Sequence, residues 1–489
     1  MKKLILGLLL SSQVSVYANP QHDLIGTFQD ALRFVESSSF NNETCPTFLN
    51  AFVKSSASPD WNRYSNEELQ AFSKDSIEQI WQLRLALHKK LGGANPACVR
   101  GIRSAFFALR ETSDYLGEFA FQQPSLNPST LDFQKQATPI QDYSAYPAYK
   151  ISPSFPGDFK FKSGDVMLAR GVSFVSALIS QITDQGSKFS HVIMVNVNPK
   201  TGEERTIESY IGVGVSTYEM PWALRNENAR LLVLRPKDQK LAAKAADIAL
   251  EKAQNGDGKN KPIPYDYFSK IDDPSRMGCA EVARASFKWA SDGKTVIPAV
   301  LSQTDVTNKD FMEKMNIEQG PVYAPDDLAT DPNFELVLDW TDYRLVRDSR
   351  QRDAILGEIM RWVNALQYNF HDTPQAYLAK NVVLPSRKTF LWPLIQKAIK
   401  APNLDRDFPK ETLGVVTVVN QIGNTLLERL KAADERYYAQ YHRSMTTAQL
   451  KAYLDNMRIA DQRNYLEGRP TLIHYALRPN NIVRRPIRR

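Results

Sequence analysis

Three residue types that together can break an acyl bond occur in the chain in the order His191, Glu208, Cys279. Cys279 follows Met277-Gly278 and heads an apolar-periodic run that predicts a helix to about Trp289. A thiol at a helix N-terminus lies at the positive end of the backbone dipole, where unpaired N–H groups stabilise a thiolate. Those N–H groups can also donate to the oxyanion formed when a thiolate attacks a carbonyl. Tyr265, in Tyr265-Asp266-Tyr267-Phe268, is a candidate for a further donor.

His191 opens a predicted strand, Ser190-His191-Val192-Ile193-Met194-Val195, and Glu208 lies in the next, Ile207-Glu208-Ser209-Tyr210. The turn cluster Asn198-Pro199-Lys200-Thr201-Gly202 separates them. Opposed residues of an antiparallel hairpin have a nearly constant sum of positions, here about 399 to 401 for a turn centred on Pro199-Lys200. His191 and Glu208 fit that sum, so their side chains are expected opposite or nearly so on one sheet face. A carboxylate beside an imidazole fixes its tautomer and raises its basicity, and the imidazole can then draw the proton from a thiol. Taken singly, each residue has an ordinary structural role. The odd cysteine, its helix-start position and the hairpin sum give the set its weight. Glu281 is expected to serve the helix dipole and Asp165 to fix a loop.

The elements that would position these groups change character along the chain. Residues 19–122 read as a helical bundle: Leu24, Phe28, Leu32 and Val35 recur at helical spacing, Ser65 to Glu68 is a capping box, and Pro96 opens another helix. Residues 123–157, rich in Pro, Ser, Tyr and Gln, read as a linker or extended strap. Residues 158–341 carry the strand period, with Gly164 to Arg170, Ser190 to Val197, Arg205 to Tyr210, Val213 to Tyr218 and Arg230 to Arg235 as strands. Residues 342–489 return to the helical period, including a helix from Glu411 to about Tyr441 weakened at Gly423. The fold class expected is α+β, a sheet-bearing core flanked by N- and C-terminal helical regions.

Met1-Lys2-Lys3 followed by apolar Leu4 to Leu10 and a small-residue site at Val16-Tyr17-Ala18 has the form of a cleavable signal peptide, residues 1–18, with no cysteine for a lipid anchor. The expected location is periplasmic or secreted. No internal run is long enough to span a bilayer. In an oxidising compartment two of the three cysteines should pair. Cys45 and Cys98 both start helix-like runs of the N-terminal region, so we expect a Cys45–Cys98 disulfide and a free Cys279. The net charge of +7, falling to +5 without Lys2 and Lys3, includes the basic tail Arg484 to Arg489. For an exported chain, anionic envelope polymers or lipid headgroups are the expected partners, and nucleic acid is not. The six histidines lack metal-ligand spacing, and Walker, Gly-x-Ser-x-Gly and His-Glu-x-x-His motifs are absent. Neither a metal nor another cofactor is expected.

The ordered set resembles the YiiX/YaeF family of permuted papain-like enzymes in the NlpC-type superfamily. It consists of Ser163-Gly164-Asp165-Val166-Met167-Leu168, Ser190-His191-Val192-Ile193-Met194-Val195, Ile207-Glu208-Ser209, Tyr265-Asp266-Tyr267-Phe268, Cys279-Ala280-Glu281-Val282 and Ala324-Pro325-Asp326-Asp327-Leu328. His before Cys is the permuted order. The resemblance covers about residues 158–340. It implies a papain-like core, an antiparallel sheet with the Cys helix packed across it, and a cysteine hydrolase acting on amide bonds, with cell-wall peptides a common superfamily substrate. Carried over, Cys279 is the nucleophile, His191 the base and Glu208 the third polar residue. The flanking helical regions and the insertion-like Asn255 to Pro264 depart from the compact family pattern. Two other functions compete. One is lipid acyl hydrolysis or acyl transfer on the same triad. The other is a non-catalytic envelope-binding or scaffold protein that uses its helical arms for an envelope protein partner.

Overall fold

The computed structural model describes residues 24–56, 59–121, 149–154, 159–184, 186–224, 228–259, 261–267, 270–390, 392–399 and 408–482. The expected signal peptide, most of the 123–157 linker and the basic tail lie outside them.

Four helices open the described chain: α1 (Leu24–Glu36), α2 (Cys45–Ser56), α3 (Asn66–Lys89) and α4 (Pro96–Phe121). The stripe Leu24, Phe28, Ala31 and Val35 turns α1 inward. Ser65 and Glu68 cap α3 reciprocally, side chain to backbone in both directions. A Cys45–Cys98 disulfide joins the heads of α2 and α4.

The centre is one antiparallel sheet of seven strands. They are β1 (Tyr149–Ile151), β2 (Val166–Gly171), β3 (His191–Val197), β4 (Glu204–Tyr210), β5 (Gly214–Glu219), β6 (Asn228–Pro236) and β9 (Phe334–Thr341), in the order β1-β9-β6-β2-β3-β4-β5. Two strands of this sheet were not expected, nor were the short ribbons outside it. Tyr149–Ile151, in the stretch read as linker, pairs with Leu338 to Trp340 at the sheet edge. Phe334–Thr341 lies between β1 and β6. Two-stranded ribbons join β7 (Ser302–Gln303) to β8 (Pro321–Val322) and β10 (Tyr368–Phe370) to β11 (Leu477–Pro479).

The short helix α5 (Phe174–Ile179) follows β2, and strand alternation divides the sheet residues between two layers. Val192, Met194 and Ile207 join the core beneath α6 (Gln239–Asn255) and α7 (Cys279–Ala290), with Ala280, Val282 and Phe287 from α7. Ile193, Val195, Leu231 and Val233 line the opposite layer with Phe161, Met220 and Trp340.

The last helices are α8 (Tyr343–Ala365), α9 (Lys410–Tyr441) and α10 (Thr447–Leu466). Gly423 does not weaken α9, which runs unbroken past it. A Cβ at Gly423 would fall 2.8 Å from the Phe174 ring, so the missing side chain admits a neighbour. The C-terminal region docks on both the N-terminal helices and the sheet. Arg443 donates to the carbonyls of Trp61 and Tyr64 at 3.1 Å each, Tyr115 donates to Ser444 O at 3.2 Å, and α8 packs on β6. Buried ion pairs tie the N-terminal helices to the sheet, Arg84 and Arg110 to Asp339 and Arg230 to Asp114 at 2.7 Å, and to α8, Arg350 to Glu118 at 2.5 Å. Among the described residues no helix is long and apolar enough to cross a membrane.

Candidate active site

Cys279 is the first residue of α7 and His191 the first of β3. This placement brings the two together, although the apolar face of α7 and the His191 side chain belong to opposite sides of the sheet. The helix carries its thiol to the end of β3, where Cys279 Sγ lies 4.0 Å from Ser190 O. The chain before Cys279 is held at three points. Ser209 Oγ donates to Met277 O at 2.6 Å, Met277 N donates to Pro264 O at 3.0 Å, and Gly278 N donates to the Glu281 carboxylate at 2.6 Å. The insertion-like stretch ending at Pro264 is therefore part of the site's frame. Ile263 O accepts from Val215 N at 2.9 Å and lies where a Cβ on Gly214 would fall. Gly214, at φ +80°, is thus required both by its backbone and by its neighbour.

His191 Nε2 lies 2.8 Å from Glu208 Oε2. The hairpin register pairs Met194 with Ile207; continued, it sets Tyr210 opposite His191 and Glu208 one pair further along on the same face. The expected proximity exists, along the diagonal. The ring directly across, Tyr210, stacks on the imidazole with centroids 4.6 Å apart and planes 28° apart. Its hydroxyl donates to Glu208 Oε2 at 2.7 Å, while Thr206 Oγ1 donates to Oε1 at 2.6 Å. Glu208 is wholly buried, so these donors provide the hydrogen bonds that water no longer can. Tyr210 and Thr206 escaped the sequence reading, although both lie two positions from Glu208 and alternation puts them on its face.

With Nε2 turned to Glu208, Nδ1 is the imidazole nitrogen left for the thiol. Burial opposes a charged His191, but hydrogen bonds to Cys279 and Glu208, and their charges, raise its pKa to about 10. Burial likewise opposes a Cys279 thiolate. The His191 hydrogen bond and charge, with the N–H groups of Val192 and Ala280, bring that pKa below the ordinary thiol value. Both shifts run toward a thiolate–imidazolium pair.

Cys279 is buried yet reaches a cleft on two sides. One compartment, about 740 Å³, is lined by Tyr265, Asp266, Lys270, Glu281, Tyr323 and Ile182 among others. The second, about 370 Å³, is bounded by Ser190, His191, Tyr210, Ser176 and Arg352. Cys279, Tyr265 and Ile179 border both. Thr183, Ser190 and Tyr323 line this region, and each buries a hydroxyl that has no hydrogen-bond partner among the described residues. Glu281 caps its own helix, as its position suggested, and also lies against the cleft. Burial first, then the charges of Asp266 and Cys279, raise its carboxyl to about 8 despite the Gly278 N–H. Asp165 holds Lys162 N at 2.9 Å, the loop role expected of it, and pairs with Arg235 at 2.6 Å.

Cys45 and Cys98 are far from this cleft in role, serving the N-terminal helices. His88 is buried and driven down to about 3 by burial and by Lys237 and Arg84, so it is a neutral core residue. His474 is buried between Asp461 at 2.8 Å and the Tyr368 hydroxyl at 3.0 Å. Among the described residues no three His, Cys, Asp or Glu side chains converge as a metal site. Comparison of the chain with protein-family models, with curated proteins and with solved structures gave no match.

Proposed function

We propose that this protein is an exported cysteine hydrolase that cleaves an amide bond, with a permuted papain-like core and cell-wall peptides as the first substrate class to examine. The reading rests on one observation: a thiol at a helix head borders one compartment with an imidazole whose Nε2 is held by a buried carboxylate. In the first step the Cys279 thiolate attacks the amide carbonyl carbon. The C–S bond forms and the carbonyl π pair moves to oxygen. The N–H groups at the start of α7 face the developing charge, and Tyr265 borders the same space. The His191 imidazolium then gives its proton to the departing nitrogen and the C–N bond breaks, leaving a thioester and neutral imidazole. Water attacks the thioester, His191 takes its proton, and C–S cleavage releases a carboxylic acid and restores the ion pair. Glu208 touches no reacting atom in this sequence; it fixes the ring and its tautomer.

The cleft is mixed in character, with Ile179, Ile182, Ile271, Ile317 and Val322 beside its charged groups, so it offers a peptide both polar anchors and room for apolar side chains. Asp266, Lys270 and Glu281 line it and can take up the polar groups of a peptide. The test is limiting iodoacetamide at about pH 6, where an ordinary thiol of pKa about 8.5 is mostly protonated. It is followed by amine release from peptidoglycan peptides with wild type, Cys279→Ala and His191→Ala. A fast single adduct on Cys279, slowed in His191→Ala, with amine release lost in Cys279→Ala, is expected. Undiminished release in Cys279→Ala would end the proposal, and a slow adduct in wild type would leave the binding-protein reading in first place.

A further inference from the structure

The helical stretch 374–386 (Pro374–Leu378, Ala379–Val383 with a wide π turn, and Leu384–Ser386) is inverted relative to an ordinary surface helix. Its inward stripe is Ala376, Lys380, Leu384 and Arg387, so two cations are buried. Lys380 is held inside by Asp372 at 2.9 Å and by the Glu411 carboxylate of α9. Its outward face is apolar: Tyr377 is 61% exposed, Leu378 51% and Val382 54%. The chain then projects Phe390, 89% exposed, and begins the helix Trp392–Ile399 with Leu394 at 69%. Long charged side chains normally reach for water and leucine and phenylalanine for the core. Here that preference is reversed over adjacent segments, and a clustered apolar surface of this kind marks a contact with something not water.

The charges indicate what that is. Residues 374–399 contain Lys380, Arg387, Lys388 and Lys397 and no acidic residue. Lys388 and Lys397 are exposed beside Phe390 and Leu394. Two copies of this face set against each other would oppose like charges, which disfavours self-association. Apolar side chains flanked by lysines match the headgroup region of an anionic bilayer: rings and branched chains enter the acyl boundary and ammonium groups remain at the phosphates. We propose that residues 374–399 dock this protein peripherally on an anionic lipid surface.

Docking is independent of the chemistry at Cys279, so it is measured without a substrate.

The experiment is flotation of the full mature chain with vesicles of phosphatidylcholine alone and of equimolar phosphatidylcholine and phosphatidylglycerol. Wild type should float with the anionic vesicles and remain below with the neutral ones, and raised salt should release it. Phe390→Asp/Leu394→Asp and Lys388→Glu/Lys397→Glu should each weaken binding at least about tenfold. All four positions are exposed, so the variants should retain the wild-type melting curve; one that does not is replaced by Phe390→Ser. Failure of wild type to float with anionic vesicles overturns the proposal, as does flotation unaffected by the Phe390/Leu394 pair. A concentration-dependent dimer in light scattering that this pair abolishes would assign the face to a second copy and overturn it as well.

Discussion

Replacing Glu208 with glutamine keeps the volume of the buried group and removes its charge. Three donors reach that carboxylate, from His191, Tyr210 and Thr206. The two hydroxyls can rotate to suit an amide, whereas the His191 contact loses its ionic character. A hydrogen bond to a charged partner contributes about 1.5–3 kcal/mol, and one pKa unit corresponds to about 1.4 kcal/mol. The imidazolium of Glu208→Gln should therefore titrate about one to two units below the wild-type value of about 10. The balance between the thiolate–imidazolium pair and the neutral pair moves by the same factor, roughly ten- to hundredfold. Iodoacetamide alkylation of Cys279, followed by intact mass from acid to alkaline pH, reads that balance directly. Wild type should react with a nearly flat rate from near neutrality until His191 loses its proton. Glu208→Gln should react more slowly at neutral pH and converge with wild type at high pH, where the thiol ionises unaided. Superimposable profiles in two variants of equal thermal stability would refute the coupling between Glu208, His191 and Cys279.

Two further outcomes are expected. Glu281 has a folded-state pKa of about 8 against an ordinary 4.5, so the fold prefers its protonated form and its contribution to stability declines between those two values as pH rises. Urea midpoints of wild type should accordingly fall relative to Glu281→Gln from pH 5 to pH 8, and a constant difference would contradict the assignment. Gly117, on α4, packs where a Cβ would enter the Tyr343 ring at the head of α8, so Gly117→Ala should lower stability by about 3 kcal/mol, measured as a shift in urea midpoint at constant slope.

The site was legible wherever local rules carry long-range information. Alternation and a turn cluster bring His191 to Glu208 across a hairpin, and a glycine before a helical run puts Cys279 at a helix head. The Cys45–Cys98 bridge followed from counting: three thiols, two of them at neighbouring helix starts. Distances that depend on separate segments were not legible. The approach of α7 to the start of β3 is set by Ser209, Pro264 and the apolar layer, none of which announces a partner in sequence. Strands β1 and β9 were missed for a related reason. Tyr149–Ile151 is too short to show a period, and the neighbours of Phe334–Thr341, β1 and β6, come from distant chain, so no local hairpin marks it as a strand. Gly423 misled because composition records a missing side chain but not the Phe174 ring that occupies its place.

The buried charges between the helical regions and the sheet impose an order of events on the newly made chain. Arg84 and Arg110, on helices formed early, find their carboxylate at Asp339, more than two hundred residues later. Glu118 waits for Arg350 and for Ser444, later still. Until those partners are synthesised, the faces of α3 and α4 that meet the sheet and α8 hold charge that must remain hydrated, while the apolar stripes of the first four helices can already pack on one another. The N-terminal helices are the first to be made and complete their buried ion pairs only when the last strand of the sheet and α8 arrive, which makes those contacts long-range and late.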